Sequence, residues 1–338
     1  MTARHVAGAA EPPDGSYDAD IIILALDREP ETLAAIASAL GQTAVSRHVF
    51  VLDQGSHPAV LQKFAQALHG RPDASLLAVE RNLGVAGGRN LISERGNGGV
   101  IVALDNDAEF AAPDTVARLV AALDGEPRLA AIGCRIVTYS DGTDDTSSWG
   151  YPANLLPCAA ENFDSVTYVG AGHAIRRTAW RDAGGYDSKL FFCWEEFDFC
   201  LRAIALGWRI RYRGDIVIRH KVAAQQRVGW TGQRWFYFVR NRLYIERKLG
   251  RPWPALLPRA AAYLVKGIRN GRPIETTRAI LAAASMAPRS GRPPLPPEAT
   301  SYLSRNDRAH RGSLPHRLMR EVLVRIGRAP GLVATTRR

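Results

Sequence analysis

Only four cysteines occur in 338 residues, Cys134, Cys158, Cys193 and Cys200. Their spacing matches no metal site, and a chain of this length can fold without disulfides, so a reducing, cytoplasmic setting is expected. No stretch approaches 18 uninterrupted apolar residues, and the opening "MTARHVAGAAEPPDGSYDAD" lacks the apolar core of a secretory signal. Neither a membrane-spanning helix nor export by that route is therefore expected. No repeat at solenoid or propeller period is present. Acids are scarce in one region only: residues 251–338 hold 17 lysines and arginines against 4 acids, whereas residues 1–250 hold 27 against 29. The net charge of +11 thus belongs to the tail, and any nucleic-acid or lipid-surface argument concerns the tail alone. Zinc-finger, RRM and helix-turn-helix signatures are all missing, so no nucleic-acid partner is expected.

What is present is an alternation. Residues 1–19 read as a flexible leader. Apolar runs "IIILAL" (21–26), "HVFVL" (48–52), "SLLAV" (75–79) and "GVIVAL" (99–104) then alternate with helical segments, including ones near 57–69 and 86–95. That order predicts βαβ units, a Rossmann-like, mostly parallel sheet flanked by helices, and an α/β fold. Each early strand ends in a polar cluster, "LDRE", "LDQGS", "ERNLG" and "LDNDAE". Such clusters share one sheet edge, where open α/β sheets bind ligands. The segment 139–154, "YSDGTDDTSSWGYPAN", reads as a long solvated loop whose acids have no site to serve.

Four constellations carry chemistry. Asp105 and Asp107 flank Asn106 at the end of a buried strand, where two unpaired carboxylates would be costly and a divalent cation neutralises them. "ERNLGVAGGRN" (80–90) places Asn82, Gly84, Gly87 and Gly88 before a helix, so backbone amides and Arg89 can meet an anion. The glycine spacing fits neither the dinucleotide fingerprint nor a P-loop. In "WEEFDFCLRAIALGW", Glu195, Glu196 and Asp198 open a helix. Helical spacing lets Glu195, Asp198 and Arg202 share a face and leaves Glu196 as the freer general base. His220 follows a short strand at 216–218 and would add a nitrogen donor if it faced Asp107, a mixed set that suits Mn²⁺ as well as Mg²⁺.

The ordered set "LDQGS", "NLGVAGGRN", "LDND", "GAGHAIRR", "GGYD", "WEEFDFCLRAIALGW" and "RH" resembles the family 2 glycosyltransferases, in the bacterial branch with rhamnosyl- and galactofuranosyl-transferase-like members. The resemblance spans about residues 19–248. It implies a GT-A fold with a catalytic domain at 20–227, divided into a nucleotide-sugar half (20–110) and an acceptor half (111–227). It further implies inverting, metal-dependent transfer from a UDP- or dTDP-linked sugar to a glycan or lipid-linked acceptor, in cell-surface polysaccharide or glycolipid assembly.

By that similarity Asp53 bonds the base, Ala25, Leu26 and Asp27 line it, and Asn82, Gly87, Arg89, Asp105 and Asn106 serve the donor. Asp105, Asp107 and His220 hold the metal, Glu196 is the base with Glu195 beside it, and Gly172, His173, Trp194 and Asp198 face the acceptor. Two departures stand out: Glu195-Glu196 replaces the frequent Glu-Asp, and Gln54 replaces an Asn. A sugar-nucleotide nucleotidyltransferase is the competing enzyme class, but it calls for a Gly-rich basic loop after the first strand, where this chain has "ALDREPETL". A non-catalytic nucleotide-binding protein is the other alternative.

After residue 228 the texture becomes helical, aromatic and basic. A helical extension (228–286), a Pro-rich linker (287–299) and a basic amphipathic tail (300–338) are expected. In the tail Leu314, Leu318, Val322 and Ile326 recur at spacing four beside arginines, a pattern suited to an anionic membrane surface at the inner face of the plasma membrane.

Overall fold

Residues Ile21, Ile23 and Ala25 pack on one side of the central sheet and Ile22 and Leu24 on the other, the period of two that a strand buried on both faces requires. The computed structural model describes residues 2–221, 232–286 and 295–312. Its elements are β1 (Arg4–Gly8), β2 (Ala19–Ala25), α1 (Glu29–Leu40), β3 (Arg47–Asp53), α2 (Pro58–Leu68), β4 (Ala74–Ala78), α3 (Gly84–Ser93), β5 (Val100–Asp105), β6 (Ala108–Phe110), α4 (Thr115–Asp124) and β7 (Leu129–Thr138). They continue with β8 (Asn162–Ser165), β9 (Gly172–Arg176), α5 (Arg177–Ala183), α6 (Glu195–Ala205), β10 (Arg209–His220), α7 (Gly232–Lys248), α8 (Trp253–Arg269), α9 (Pro273–Ser285) and α10 (Pro297–Asn306).

The strands form one sheet in the order β1-β4-β3-β2-β5-β9-β7-β10-β6, with β8 on β10. Strands β4, β3, β2 and β5 are parallel, as are β7 and β10, while β1, β6, β8 and β9 pair antiparallel with their neighbours. Helices α1, α2 and α4 cover one face through Ile36, Phe64 and Leu119. Helices α3 and α6 cover the other through Ile92, Phe199 and Ile204. All four parallel strands therefore deliver their carboxyl ends, at Ala25, Asp53, Ala78 and Asp105, to one rim.

Four expectations need correction. The leader is not free: residues 4–8 form an edge strand on β4, and Gly8 lies so close to the Ala74 carbonyl that a side chain would collide with it. β10 runs over 12 residues rather than three. Its alternation of buried Ile210, Tyr212, Ile216 and Ile218 with Arg209, Arg211, Arg213 and Arg219 was obscured by the arginines. The 139–154 segment is not a solvated loop, because Asp145 and Tyr151 are buried and Trp149 and Tyr151 pack edge-on against Tyr212. Finally, α10 begins inside the expected linker. Its Tyr302 hydroxyl accepts from the Ile210 amide at 3.1 Å, which fastens the start of the tail to the catalytic sheet. The amphipathic segment 314–327 and the boundary at 227/228 lie outside the described residues.

Buried His48 ties β3 to β4 and, through Ser75, to the residue after β1. Its Nε2 donates to Ser75 Oγ at 2.8 Å, Ser75 donates to the Ala9 carbonyl at 2.7 Å, and Nδ1 has no partner. Burial lowers its pKa to about 4, below the ordinary value of about 6.5, since a proton on Nδ1 would be buried without an acceptor. Between those two values the unfolded chain binds a proton that the fold refuses, so stability falls as pH drops from 6.5 to 4. Thermal unfolding across that range is expected to show the fall, and His48→Asn to flatten the slope.

Candidate active site

Turns at the sheet rim set the first wall. Asp27 and Arg28 follow β2 with φ of 51° and 52°, a left-handed pair held by Asp27, whose amide donates to Ser56 Oγ (2.7 Å) and whose Oδ1 accepts from the His57 amide (2.9 Å). After β3, buried Asp53 accepts from the Gly55 and Ser56 amides through Oδ2 (3.1 and 3.2 Å), while Oδ1 is buried without a protein partner. Gln54 stabilises the next loop by accepting from the Leu83 amide at 3.0 Å. Ala25 is buried, and Leu26 and Asp27 are exposed beside it.

At the end of β5, Asn106 donates to Thr32 Oγ1 at 3.0 Å and Asp107 turns toward His220, with Nε2 and Oδ1 3.3 Å apart. Arg28 also contacts Asp107. His220 Nδ1 lies 3.0 Å from Asp145 Oδ2. Burial opposes charge on His220, but Asp107 and Asp145 outweigh it and raise its pKa to about 9. Burial likewise opposes charge on Asp107, yet His220 and Arg28 keep that carboxyl below its ordinary range. Asp145 belongs to the segment dismissed as solvated. A polar loop rich in Asp, Ser and Thr gives no periodicity by which to place it, so only the fold reveals this contact.

Arg89 joins the two acidic groups. Its guanidinium is 3% exposed, with Nη2 2.8 Å from both Asp105 Oδ1 and the Gly170 carbonyl, and Nη1 3.2 Å from Glu196 Oε1. Arg89, expected at a diphosphate, is engaged here as a buried strut between carboxylates. Amides at the start of α3 are likewise engaged, because Val85 and Ala86 donate to the Phe191 carbonyl (2.7 and 3.3 Å). Asn82 is exposed and caps Gly84 at 2.7 Å, and Gly87 is half-buried in the first turn of α3.

Glu196 is thus not a free carboxylate. Burial raises its pKa against the pull of Arg89. Glu195 is buried more deeply, its Oε2 has no partner, and burial together with Glu196 pushes its pKa well up. It takes no part in the ion pair expected on its helix face, which forms between Asp198 and Arg202 at 3.0 Å.

Three residues expected at the acceptor are structural. Asp198 is buried against Arg202 and Lys248 (2.6 Å). His173 is buried, stacks on Tyr168, hydrogen-bonds Tyr186 at 3.1 Å, and is held neutral by burial and by Arg89. Gly172 lies in β9 with Ile218 where a side chain would stand. Trp194 is half-buried and donates to the Phe238 carbonyl at 3.1 Å. Gly170, in contrast, was overlooked: a Cβ there would sit 2.6 Å from Glu196 Oε1. The pair of glycines in "GAGHAIRR" was its signal.

Among the described residues no cluster of three His, Cys, Asp or Glu side chains is spaced to hold a metal as it stands. Asp107 and His220 nevertheless converge as an oxygen and a nitrogen donor, with Asp105 on the same rim, a set suited to Mn²⁺ or Mg²⁺. The residues therefore fit the cation, provided that Arg28 leaves Asp107 and the proton leaves His220.

A parallel core ending in this acidic rim, with an antiparallel flank behind it, defines an α/β protein of GT-A type. Residues 20–184, a little under half of the chain, match the model of Glycosyl transferase family 2. The match ends before Glu195 and His220. Pre-mycofactocin glycosyltransferase from two strains of Mycobacterium tuberculosis is 28% identical over 118 residues, which are 33% of this chain and 25% of the relative. The chain thus spans about a quarter of the length of these curated relatives. A mannosyltransferase from Pyrobaculum calidifontis, solved with GDP-Man and Mn²⁺, is 18% identical with a TM-score of 0.53, covering 93% of this chain and 86% of that one.

Removing one member of a buried, charge-paired cluster leaves the others uncompensated, at a cost of about 3–5 kcal/mol. Arg89→Ala is expected to lower unfolding free energy by that order in urea titrations, and Gly170→Ala to shift Glu196 while unfolding normally.

Proposed function

We propose that this chain transfers a glycosyl group from a nucleotide-diphosphate sugar to an acceptor hydroxyl, with inversion at the anomeric carbon. The carrying observation is convergence: Arg89 spans Asp105 and Glu196, and His220 stands 3.3 Å from Asp107, although these residues come from four separate stretches of chain. Asp53 Oδ1, buried and unpartnered, offers an acceptor to the imide N–H of a uracil or thymine. Asp107 and His220, with Asp105 nearby, would hold the divalent cation. When bound, that cation supplies electrostatic stabilisation of the departing diphosphate.

Glu196 takes the proton from the attacking hydroxyl. Burial raises its pKa, which strengthens it as a base, and Arg89 fixes its carboxylate relative to the donor rim. Glu195 is buried beside it, and burial together with the Glu196 charge pushes its pKa well up. Attack from the side opposite the nucleotide needs no covalent sugar intermediate.

A lipid-linked acceptor fits the helical extension. Leu257, Leu264 and Ile268 of α8 are exposed on one helix side, and Ile274 and Leu281 of α9 are exposed as well. Residues 251–286 hold six lysines and arginines and a single acid. Exposed apolar side chains among cations match the interfacial region of an anionic bilayer. No helix among the described residues is long and apolar enough to cross a membrane.

A nucleotide-sugar panel with Mn²⁺ tests the chemistry. Nucleoside diphosphate release that requires acceptor is expected, whereas pyrophosphate release from a nucleoside triphosphate supplied with a sugar 1-phosphate would mean nucleotidyl transfer. Glu196→Gln should lower turnover by on the order of 10²–10⁴-fold with donor binding kept. If Glu195→Gln is the inactive variant instead, the neighbour is the base. Asp107→Ala should abolish stimulation by Mn²⁺. Co-sedimentation with phosphatidylglycerol vesicles, but not phosphatidylcholine ones, should be weakened by Leu264→Asp with Ile268→Asp; self-association without vesicle binding would assign that face to a second copy.

A further inference from the structure

The segment leading into Glu195 and Glu196 is held in a conformation that its own residues disfavour. Phe191, Cys193 and Trp194 have φ of 63°, 70° and 73°, and none is glycine. Phe191, with ψ of −59°, is the centre of a γ-turn closed by the Phe192 amide on the Leu190 carbonyl at 2.7 Å, in the rare positive-φ form. Such strain persists only where the surroundings over-determine it.

The surroundings here are largely one side chain. Asn241, on α7, is fully buried, and its Nδ2 lies 2.8 Å from each of the Leu190, Phe192 and Cys193 carbonyls. Arg240 orients that amide, donating from Nε to Asn241 Oδ1 at 2.8 Å while Nη2 meets the Lys189 and Leu190 carbonyls (2.8 and 2.9 Å). From the opposite side the α3 amides of Val85 and Ala86 hold the Phe191 carbonyl. The strained turn is therefore gripped between the helix carrying Arg89 and the helix carrying Asn241.

We infer that Asn241 is a positioning residue for the acidic pair: it fixes the turn 190–194 so that α6 begins with Glu196 at Arg89, and it acts on turnover without touching the donor. The inference rests on the transferase reading for its kinetic arm only. Neither carbonyl capture nor the turn depends on which sugar is moved.

Asn241→Ser keeps a small polar side chain but cannot reach three carbonyls. With the full-length protein it is expected to lower kcat about 100-fold, the scale of a catalytic group displaced by about 1 Å. The donor KM should stay within about threefold. Amide hydrogen exchange in 190–196 should accelerate while exchange in β2, β3 and β5 stays unchanged. Cys193→Gly added to Asn241→Ser should recover kcat at least tenfold, because glycine adopts positive φ without penalty. Unchanged kcat in Asn241→Ser, a parallel loss of donor affinity, or no rescue by Cys193→Gly would each overturn the assignment. If the wild type turns over no nucleotide sugar, the transferase reading fails separately. Hydrogen exchange then decides the clamp by itself: faster exchange confined to 190–196 supports it, and unchanged or global exchange refutes it.

Discussion

One guanidinium holds the acidic rim in shape. Arg89 is almost wholly buried, and it contacts a carboxylate at the end of a parallel strand, a carboxylate on the first turn of a helix about a hundred residues later, and the carbonyl of Gly170 between them. Without it, the largely buried Glu196 carboxylate would lose its cation, and the sheet edge and α6 would have no charged reason to stay adjacent. Tyr186 and His173 sit behind this strut, His173 neutral so that no second cation competes with the guanidinium. The requirement for a glycine at 170 follows from the same packing, since the carbonyl that accepts from Arg89 belongs to a residue whose side chain would enter the Glu196 carboxylate.

The helical extension is part of the same construction. α7 reaches the turn before α6 through Asn241 and Arg240, lays Tyr237 on Phe191 with ring centroids 5.1 Å apart, and places Arg242 over Trp194 and Phe197. Lys248, at its far end, closes on Asp187 and Asp198. These contacts bracket residues 187–198 from both ends, so a segment expected as an appendage instead forms one wall of the acidic site. α10 does something similar for the sheet, through the Tyr302 hydroxyl on Ile210.

Legibility in the sequence followed periodicity. Parallel strands with continuous apolar runs, such as "IIILAL" and "GVIVAL", declared themselves, and so did the polar clusters that end them. β1 and β10 did not: the former is short and mixed, and the latter alternates isoleucine with arginine in a pattern that a charge count reads as surface. Among the candidate residues, Asp107, His220 and Glu196 could be nominated by type and order, and the fold gives His220 to Asp107 and Glu196 to Arg89. Sequence could not say whether a polar group faced a ligand or another part of the protein. Arg89, His173 and Asp198 were therefore given ligand roles that burial assigns to structure, and Asp145 was left in solvent although it bonds His220.

Burial also separates the two arginines that neutralise the Asp-x-Asp pair. Arg89 is held in place, because its partners surround it and its helix packs closely on β2 at Gly88, against the side chains of Leu24 and Gln54. Arg28 stands on a strained, left-handed turn with a side chain about a third exposed, so it can leave Asp107 for solvent at modest electrostatic cost. On the proposed reading, a cation arriving at Asp107 would displace the movable arginine and not the fixed one. The buried charge at Arg89 holds the Asp105 and Glu196 carboxylates in place, and the partly exposed charge at Arg28 compensates Asp107.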